Sequence, residues 1–327
     1  MNVAALGDGT GAAPVEDDLI QPFQIEGCGV RGRLARLGPL ADAVLGRQDY
    51  PAPIAALLGE TLALAAVLAG ALKYEGIFTL QAVGDGPVKM IVADMTSDGA
   101  MRGYAGYDDE RLARVLDGAA LEGGRLADPV PRLLGKGHLA FTVDQGQETE
   151  RYQGIVELVG ETLADATEHY FRHSEQIDAG ISVAAARAGA NGQAAWRAAA
   201  LMIQRLPEAE AEAEAGWAAP EGDAAERWRR AHILMGSVRA EELTDPGLTP
   251  DRLLYRLFHE EGVRVYRPHP LHAGCRCSRE RVETTLRRMS RDSVEELTVD
   301  GIVTVTCQFC NESYVLDRTA LEALYAA

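Results

Sequence analysis

Cysteine and basic residues are both scarce in this chain of 327 residues, and no export signal is recognisable. There are five cysteines, and 32 lysines and arginines stand against 49 acidic residues, which leaves a net charge of −17. Such a negative field repels phosphate backbones, so no nucleic-acid partner is expected. The first residues, rich in Asp, Gly and Ala, have neither a basic n-region nor an apolar h-region. We therefore expect a cytoplasmic protein, in which cysteines are more often metal ligands than structural disulfides.

Long apolar runs are rare as well, and only residues 54–72 approach the length of a membrane span. Glu60 lies near the middle of this run, and a charge there costs about 3 kcal/mol or more inside a bilayer. Pro51 and Pro53 stand at the start, where a helix tolerates proline. The run therefore predicts a buried helix, and no membrane partner is expected.

The sequence has no convincing nucleotide-binding loop. Residues 84–87, Gly-Asp-Gly-Pro, lack the Gly-Lys-Ser/Thr that completes a P-loop, and Pro87 removes a backbone donor. Residues 135–138, Gly-Lys-Gly-His, lack the hydroxyl that would bind magnesium. We interpret residues 84–87 as a tight turn between strands and expect no nucleotide ligand.

Composition and periodicity divide the chain into four parts. Residues 1–16 resemble a flexible tail, and residues 17–207 mix strand-like and helical segments without a regular βαβ period, which predicts an N-terminal α+β domain. Residues 208–265 form a predicted helical linker region, and residues 266–327 a small cysteine-containing domain. Within the first domain the predicted elements are strands at residues 23–25, 77–83 and 139–143 and helices at residues 54–72 and 163–173.

The predicted linker region begins with acidic residues and continues with two amphipathic segments. Glutamates alternate with alanines at residues 208–214, a stretch with almost nothing to bury. The apolar faces that follow comprise Trp228, Ala231, Met235 and Val238, and then Leu253, Leu254, Leu257 and Phe258. Helices this short are not stable alone in water, so we expect both segments to lie on another surface.

Four cysteines lie in two close pairs near the end of the chain, namely Cys275, Cys277, Cys307 and Cys310. Two such pairs, separated by a foldable stretch, can bring four thiolates to one tetrahedral point, the ligand set of a closed structural zinc site. We therefore predict one Zn²⁺ per reduced chain and no catalytic residue. His272 could compete as a ligand, but four sulfurs already complete the sphere. Cys28, alone between two glycines, is interpreted as a small packed residue.

Zinc is expected to decide whether the C-terminal domain folds. A structural zinc contributes about 10 to 16 kcal/mol at neutral pH, whereas a core of about 60 residues rarely supplies more than a few. Disulfides within C-x-C and C-x-x-C close very small loops, so by loop entropy they do not replace the metal. Oxidation of the cysteines is therefore expected to unfold residues 266–327.

Several motifs between about residues 19 and 320 carry a family resemblance. They lie at residues 84–87, 101–103 (Met-Arg-Gly), 150–156 (Glu-Arg-Tyr-Gln-Gly-Ile-Val), 170–176 (Tyr-Phe-Arg-His-Ser-Glu-Gln), 257–261 (Leu-Phe-His-Glu-Glu), 275–281 and 307–310. In their order and separation, above all of the C-x-C and C-x-x-C pairs, they resemble the redox-regulated 33 kDa chaperonin, or heat shock protein 33, family.

The resemblance implies an ATP-independent holdase of the bacterial cytoplasm that binds unfolding client proteins. The reduced family members hold zinc on the four cysteines and are inactive; oxidation forms disulfides, releases zinc, unfolds the C-terminal module and linker, and exposes surface. The resemblance assigns both the zinc ligands and the redox disulfides to Cys275, Cys277, Cys307 and Cys310. We expect the linker face of Trp228, Met235, Leu254, Leu257 and Phe258 to dock in the reduced state. A homodimer after oxidation is a further expected assembly.

Three departures from the family and two other classes of function have to be weighed. Asn311 stands where the family often has glycine, the linker is longer and more acidic than usual, and Cys28 lies outside the motifs. A thiol-disulfide oxidoreductase would use Cys307 and Cys310, but such a motif usually opens a helix in a thioredoxin-like pattern. A zinc-ribbon binding module for nucleic acid or protein is the other alternative, and the acidic composition argues against nucleic acid.

Overall fold

The computed structural model describes residues 17–122, 124–146, 151–189, 194–206 and 223–326. The predicted tail at residues 1–16, the acidic start of the linker and the glutamate at the start of the 150–156 motif lie outside the described residues. The helices are α1 Pro39–Leu45, α2 Ala52–Ala69, α3 Asp109–Leu116, α4 Leu163–Tyr170, α5 Ala224–Gly236, α6 Ala240–Thr244, α7 Pro250–Phe258, α8 Arg279–Arg287, α9 Arg291–Glu296 and α10 Arg318–Ala326. Short 3₁₀ turns at Glu26–Cys28 and His259–Glu261 and π-helical turns at Val130–Leu134 and Phe171–Glu175 join them.

The strands form two large sheets and one hairpin. They are β1 Leu19–Ile25, β2 Val30–Leu37, β3 Ile77–Gly84, β4 Val88–Thr96, β5 Ala100–Tyr107, β6 Gly137–Asp144, β7 Tyr152–Glu157, β8 Ala179–Ala188, β9 Ala195–Arg205, β10 Val263–Val265, β11 His269–Pro270, β12 His272–Ala273, β13 Ile302–Thr306 and β14 Ser313–Asp317. The first sheet has the order β10-β1-β2-β9-β8, with β11 also paired to β1, and the second the order β12-β5-β4-β3-β6-β7. Strands β13 and β14 form the hairpin. The predicted α+β class is confirmed.

Helix α2 is buried between the two large sheets. It contacts β2, β8 and β9 on one side and β3, β4 and β5 on the other. Because both sides are covered, the helix is apolar all round, and 94% of a stretch long and apolar enough to cross a membrane is buried inside the protein. The buried helix predicted at residues 54–72 is thus confirmed, with ends at Ala52 and Ala69. Burial raises the pKa of Glu60, whose carboxylate pairs with Arg125.

The other predicted elements of the N-terminal domain are found with small changes of their ends. The predicted strands at residues 23–25, 77–83 and 139–143 lie within β1, β3 and β6, and residues 84–87 form the turn between β3 and β4. Glycine is required in this turn because a Cβ on Gly86 would lie 2.4 Å from the Leu133 carbonyl oxygen. The helix predicted at residues 163–173 begins at a Thr162 capping box and ends at Tyr170, where the chain continues as a π-helical turn.

The linker helices dock on the first sheet, as their short amphipathic patterns predict. Their apolar side chains and those of β1, β2 and β9 form a second core, whose main members are Phe23, Ile25, Val30, Leu34, Leu201, Ile203, Ala231, Met235, Leu253, Leu254, Leu257 and Phe258. The ring of Phe258 stacks on that of Phe23, with centroids 5.7 Å apart. Leu257 and Phe258 are 3% and 0% exposed, so this surface is closed to solvent.

After the linker helices the chain runs along both N-terminal sheets before it reaches the cysteines. Strands β10 and β11 pair with β1 of the first sheet, and β12 pairs in parallel with β5 of the second. These strands lie on both sides of the predicted domain boundary at residue 266. Residues 263–273 are therefore joined by backbone hydrogen bonds to the N-terminal domain.

Candidate metal centre

The first pair of cysteines follows β12 on an extended segment. Cys275 and Cys277 lie between the last residues paired with the second sheet and the start of α8. Ser278 caps that helix, because its side chain accepts a hydrogen bond from the Arg281 N–H at 3.2 Å. The short strand and the cap fix the segment at both ends.

The second pair lies in the turn of the β13–β14 hairpin. The Cys307 carbonyl accepts from the Asn311 N–H at 2.8 Å, and the Cys307 N–H donates to the Glu312 carbonyl at 2.9 Å. Asn311 has a φ of 61°, in the left-handed region that glycine and asparagine adopt most readily. The asparagine therefore supports the same turn that glycine would. The pair stands on a hairpin turn and not at a helix start, unlike the motif of a thioredoxin-like oxidoreductase.

The four sulfur atoms meet at one point between these two segments. All four lie within 4.8 Å of one another. Contacts between the two pairs measure 3.7 Å from the Cys275 sulfur to that of Cys307 and 3.2 Å from the Cys277 sulfur to that of Cys310. A tetrahedral zinc with Zn–S bonds of about 2.3 Å holds its sulfurs about 3.8 Å apart, so the donor set fits this metal. His272, in β12, is not one of the ligand residues of this group.

Burial and hydrogen bonds shift the pKa values of Cys275, Cys277 and Cys310 in different directions. Burial would raise the pKa of Cys275, but donors from Cys277, Cys310 and other neighbours bring it to about 6. Burial raises the pKa of the Cys310 thiol to about 12 and that of Cys277 in the same direction. The Tyr314 hydroxyl donates to the Cys277 sulfur at 3.2 Å. The site thus already stabilises thiolate at Cys275, the form that binds metal and reacts with oxidants.

Side chains of the second N-terminal sheet surround the sulfurs. The Arg102 guanidinium, on β5, lies 3.9 Å from the Cys275 sulfur and 3.8 Å above the centre of the Phe309 ring. Asp94, on β4, binds Arg102 at 2.7 Å and also pairs with Arg276. Sequence reasoning missed this group; the only signal was the Met-Arg-Gly motif at residues 101–103, which has no meaning for the cysteines without the fold.

The domain that carries the cysteines has a small core of its own. Its fully buried apolar side chains are Leu286, Val294, Val303, Leu316 and Leu324. They come from α8, α9, the hairpin and α10, so the core joins the elements on both sides of the second cysteine pair. A core of this size contributes little free energy of unfolding compared with a structural zinc site.

The remaining candidate residues lie at the docked linker. Trp228 packs at the edge of the second core, and Met235, Leu254, Leu257 and Phe258 are buried in it. These five residues belong to a packing cluster that includes none of the four cysteines, so the structure does not bring the two predicted groups together. A buried arginine of β2, Arg36, donates to the Asp245 and Leu248 carbonyls at 2.6 and 2.9 Å and holds the turn between α6 and α7. No sequence pattern predicted this contact.

Cys28 is packed, as predicted, and lies at the same linker interface. It is buried, and its sulfur is 3.4 Å from one carboxylate oxygen of Glu261. The other oxygen of that carboxylate pairs with Arg230 of α5 at 2.6 Å. Burial and the Glu261 charge raise the pKa of Cys28 to about 12. This thiol is therefore protonated at neutral pH in the docked state.

Comparison with known proteins identifies the family to which the chain belongs. A sequence profile of the Hsp33 protein family matches residues 18–317. Proteins named 33 kDa chaperonin are similar: one from Caulobacter vibrioides (strain NA1000 / CB15N) is 40% identical and one from Azotobacter vinelandii 38%, over 93% and 94% of this chain and 96% and 95% of theirs. The crystal structure of the 33 kDa chaperonin homologue from Thermotoga maritima shares the fold, with a TM-score of 0.73, 22% identity and coverage of 95% and 98%. The chain belongs to the Hsp33 family of chaperones.

Proposed function

We propose that this chaperone is a redox-regulated, ATP-independent holdase of the bacterial cytoplasm and not an enzyme. In the proposal the reduced, zinc-bound chain is inactive and oxidation of its cysteines activates it to bind unfolding proteins. The observation that carries the proposal is the meeting of four sulfurs within 4.8 Å in a domain with a very small apolar core. Family membership supports the same function.

The residues that would hold the metal are Cys275, Cys277, Cys307 and Cys310. Bound zinc would supply a cross-link between the segment before α8 and the hairpin β13–β14, and with it most of the stability of the domain. The chain's own contribution is to present the sulfurs in reduced form, with Tyr314 and the Arg102 guanidinium donating to two of them. No open coordination position is needed for this role, since the four sulfurs complete a tetrahedron.

Oxidation would remove the ligands in pairs. Two thiols give one disulfide and reduce one hydrogen peroxide to two waters, so two peroxide molecules oxidise the whole site. Cysteines within each motif are expected to pair, and Cys307 with Cys310 first, because cysteines three apart in a turn reach disulfide geometry more readily than two on an extended segment. In the reduced site, sulfur contacts also run between the motifs. Pairing within a motif would remove these contacts between the motifs, which supports unfolding of the domain.

Unfolding of the C-terminal domain would then release the linker helices from the first sheet. Helices α5 and α7 are short and hold their shape through the second core, so they have little stability once undocked. Their departure would uncover Phe23, Ile25 and Leu34 and free the apolar faces of the helices themselves. Contiguous apolar surface of this kind binds other unfolded chains. A homodimer after oxidation follows from the family resemblance alone and stays a prediction.

The experiment is a joint measurement of metal, sulfur and activity. The zinc-loaded, reduced chain is mixed with peroxide under mild heat, and zinc release, thiol loss and suppression of aggregation of a model substrate are followed together. We expect one zinc per reduced chain, release in step with thiol loss, and protection of the substrate only after release. Protection by the fully reduced, zinc-bound chain would contradict the proposal, as would oxidation and release without protection.

A further inference from the structure

We propose that the second N-terminal sheet forms a docking site for the zinc centre and thereby sets how tightly the C-terminal domain holds its metal. We call the contact the sheet latch: Asp94, Arg102 and Tyr104 on the sheet, and Arg276 and Phe309 on the C-terminal domain. This inference rests on the proposed zinc site. It concerns residues outside the ligand set and outside the linker face.

The latch reaches both cysteine motifs. Arg276 is the residue between Cys275 and Cys277, and Phe309 lies between Cys307 and Cys310. Since each contact residue is bonded along the backbone to a ligand residue, movement of either one shifts a sulfur. The sheet therefore holds the two motifs in one arrangement, even though they belong to different elements of the C-terminal domain.

Asp94 is the centre of the latch. The residue is 5% exposed, and one of its carboxylate oxygens accepts from Arg102 on the sheet and from Arg276 on the C-terminal domain. The other oxygen accepts from the Thr79 hydroxyl at 2.7 Å. A buried carboxylate is tolerated only when its oxygens are bonded in this way. Undocking of the C-terminal domain removes one of the two guanidinium groups, so the site on the sheet favours the docked state.

Arg102 joins the carboxylate to the zinc centre. Its guanidinium binds Asp94 at 2.7 Å, lies 3.9 Å from the Cys275 sulfur and covers the Phe309 ring at 3.8 Å. The Tyr104 ring also packs near that phenylalanine, with centroids 6.1 Å apart and the rings tilted. Arginine suits this position because a planar guanidinium stacks on a ring and donates in several directions at once.

The charge of the sulfurs decides how strongly the latch is held. Four thiolates around a divalent cation retain two negative charges, which the partly buried guanidinium of Arg102 faces directly. Two disulfides carry no charge, so oxidation removes this attraction while Asp94 and Arg102 remain paired on the sheet. The sheet therefore distinguishes the zinc–thiolate form from the disulfide form. By reciprocity, any change that weakens docking also weakens zinc binding.

The test measures zinc affinity of the reduced, full-length chain by competition with a chromogenic chelator, without oxidant. The variants are Arg102→Leu, Arg276→Leu and their combination, with Arg205→Leu as the control, since Arg205 on β9 pairs with Asp178 at 3.2 Å on the other sheet. Loss of an outer-shell partner typically lowers metal affinity about 10- to 100-fold. We expect that loss for Arg102→Leu, a smaller one for Arg276→Leu, and a combined effect below the product of the two.

Two further measurements separate a positioning role from a merely structural one. The circular dichroism melt of the N-terminal domain tests whether the sheet stays folded, and Phe309→Leu weakens the latch from the C-terminal side without touching the sheet. Arg102→Lys keeps the charge but loses the planar stack, and we expect intermediate affinity. Zinc affinities of Arg276→Leu and Phe309→Leu within twofold of the control would overturn the latch alone. A reduced wild-type chain that binds no zinc would overturn both the metal site and the latch.

Discussion

The N-terminal and C-terminal domains differ most in the number of apolar side chains that hold them. In the first, two sheets close on α2, and a continuous core extends from Ile20 to Met202 and includes most residues of that helix. In the second, the core formed by the described residues has five buried apolar side chains, and among those residues β13 and β14 pair only with each other. An isolated two-stranded hairpin is marginally stable in water.

The difference shows where a switch can be placed. A domain with a large core unfolds as a unit and only at substantial cost, whereas one with a small core can depend on a single cross-link. The linker helices lie between these cases, since they share a core with the stable domain but contribute only one face of it. Stability therefore falls in order from the first sheet to the linker to the cysteine-bearing domain.

The largest effect is expected from a substitution that removes one of the four sulfurs of the proposed zinc cross-link. We expect Cys277→Ser to abolish stoichiometric zinc binding and to unfold residues 278–326, because about 10 kcal/mol or more of metal-linked stability is lost. Hydrogen exchange should show unprotected amides there and unchanged protection in β2, β9 and α2. Cys28→Ala is the control and should bind one zinc. A C-terminal domain that stays protected in Cys277→Ser would show that its core is sufficient.

A smaller change should detach the linker while leaving the metal in place. Leu257→Ser combined with Phe258→Ser removes two buried side chains at a cost of several kcal/mol, roughly 3 for each. We expect exchange in residues 223–262 to rise and aggregation of a model substrate to be suppressed without oxidant. Tyr255→Ser on the same helix is the control, since that side chain is 64% exposed.

This variant also tests whether the linker face itself binds client proteins. If the undocked linker fails to suppress aggregation, Leu257 and Phe258 are needed for binding. If residues 223–262 of the wild-type chain stay equally protected before and after full oxidation with zinc release, linker undocking is not the switch.

The smallest expected effect concerns the thiol of the stable domain. Burial raises the pKa of Cys28 from an ordinary 9 to about 12, so between these pH values the unfolded chain loses a proton that the folded chain keeps. The free energy of unfolding should therefore fall as pH rises through this window, by at most about 1.4 kcal/mol per pH unit. Cys28→Ala should lose this part of the slope, and the difference between the two chains measures it. Equal slopes would contradict the burial of this thiol.

Local patterns predicted most of the elements and singled out the four cysteines whose sulfurs meet in the fold. Each of these signals lies within a short stretch of sequence: the all-apolar run of α2, the helical spacing of Trp228 and Met235, and the close cysteine pairs. The sheet latch could not be predicted from local sequence, because Asp94, Arg102 and Arg276 are brought together only by the pairing of β4 with β5 and of β5 with β12. Strands of two or three residues, such as β10 and β11, are too short to show alternation. From the sequence alone, Arg36 in β2 would be expected at the surface. In the fold the turn between α6 and α7 covers it.

The strand β10 has a consequence for recovery after activation. It pairs with β1, while β9, at the other end of the linker, pairs with β2, so the intervening chain is anchored in the first sheet at both ends. In an undocked state that keeps both of these strand pairs, the linker would be a closed loop, and its ends would stay at their original separation. Return of the helices is then an intramolecular step at a local concentration on the order of millimolar. Under the proposed function, displacement of a bound client would therefore begin from the chaperone itself, without dilution and without rebuilding either sheet.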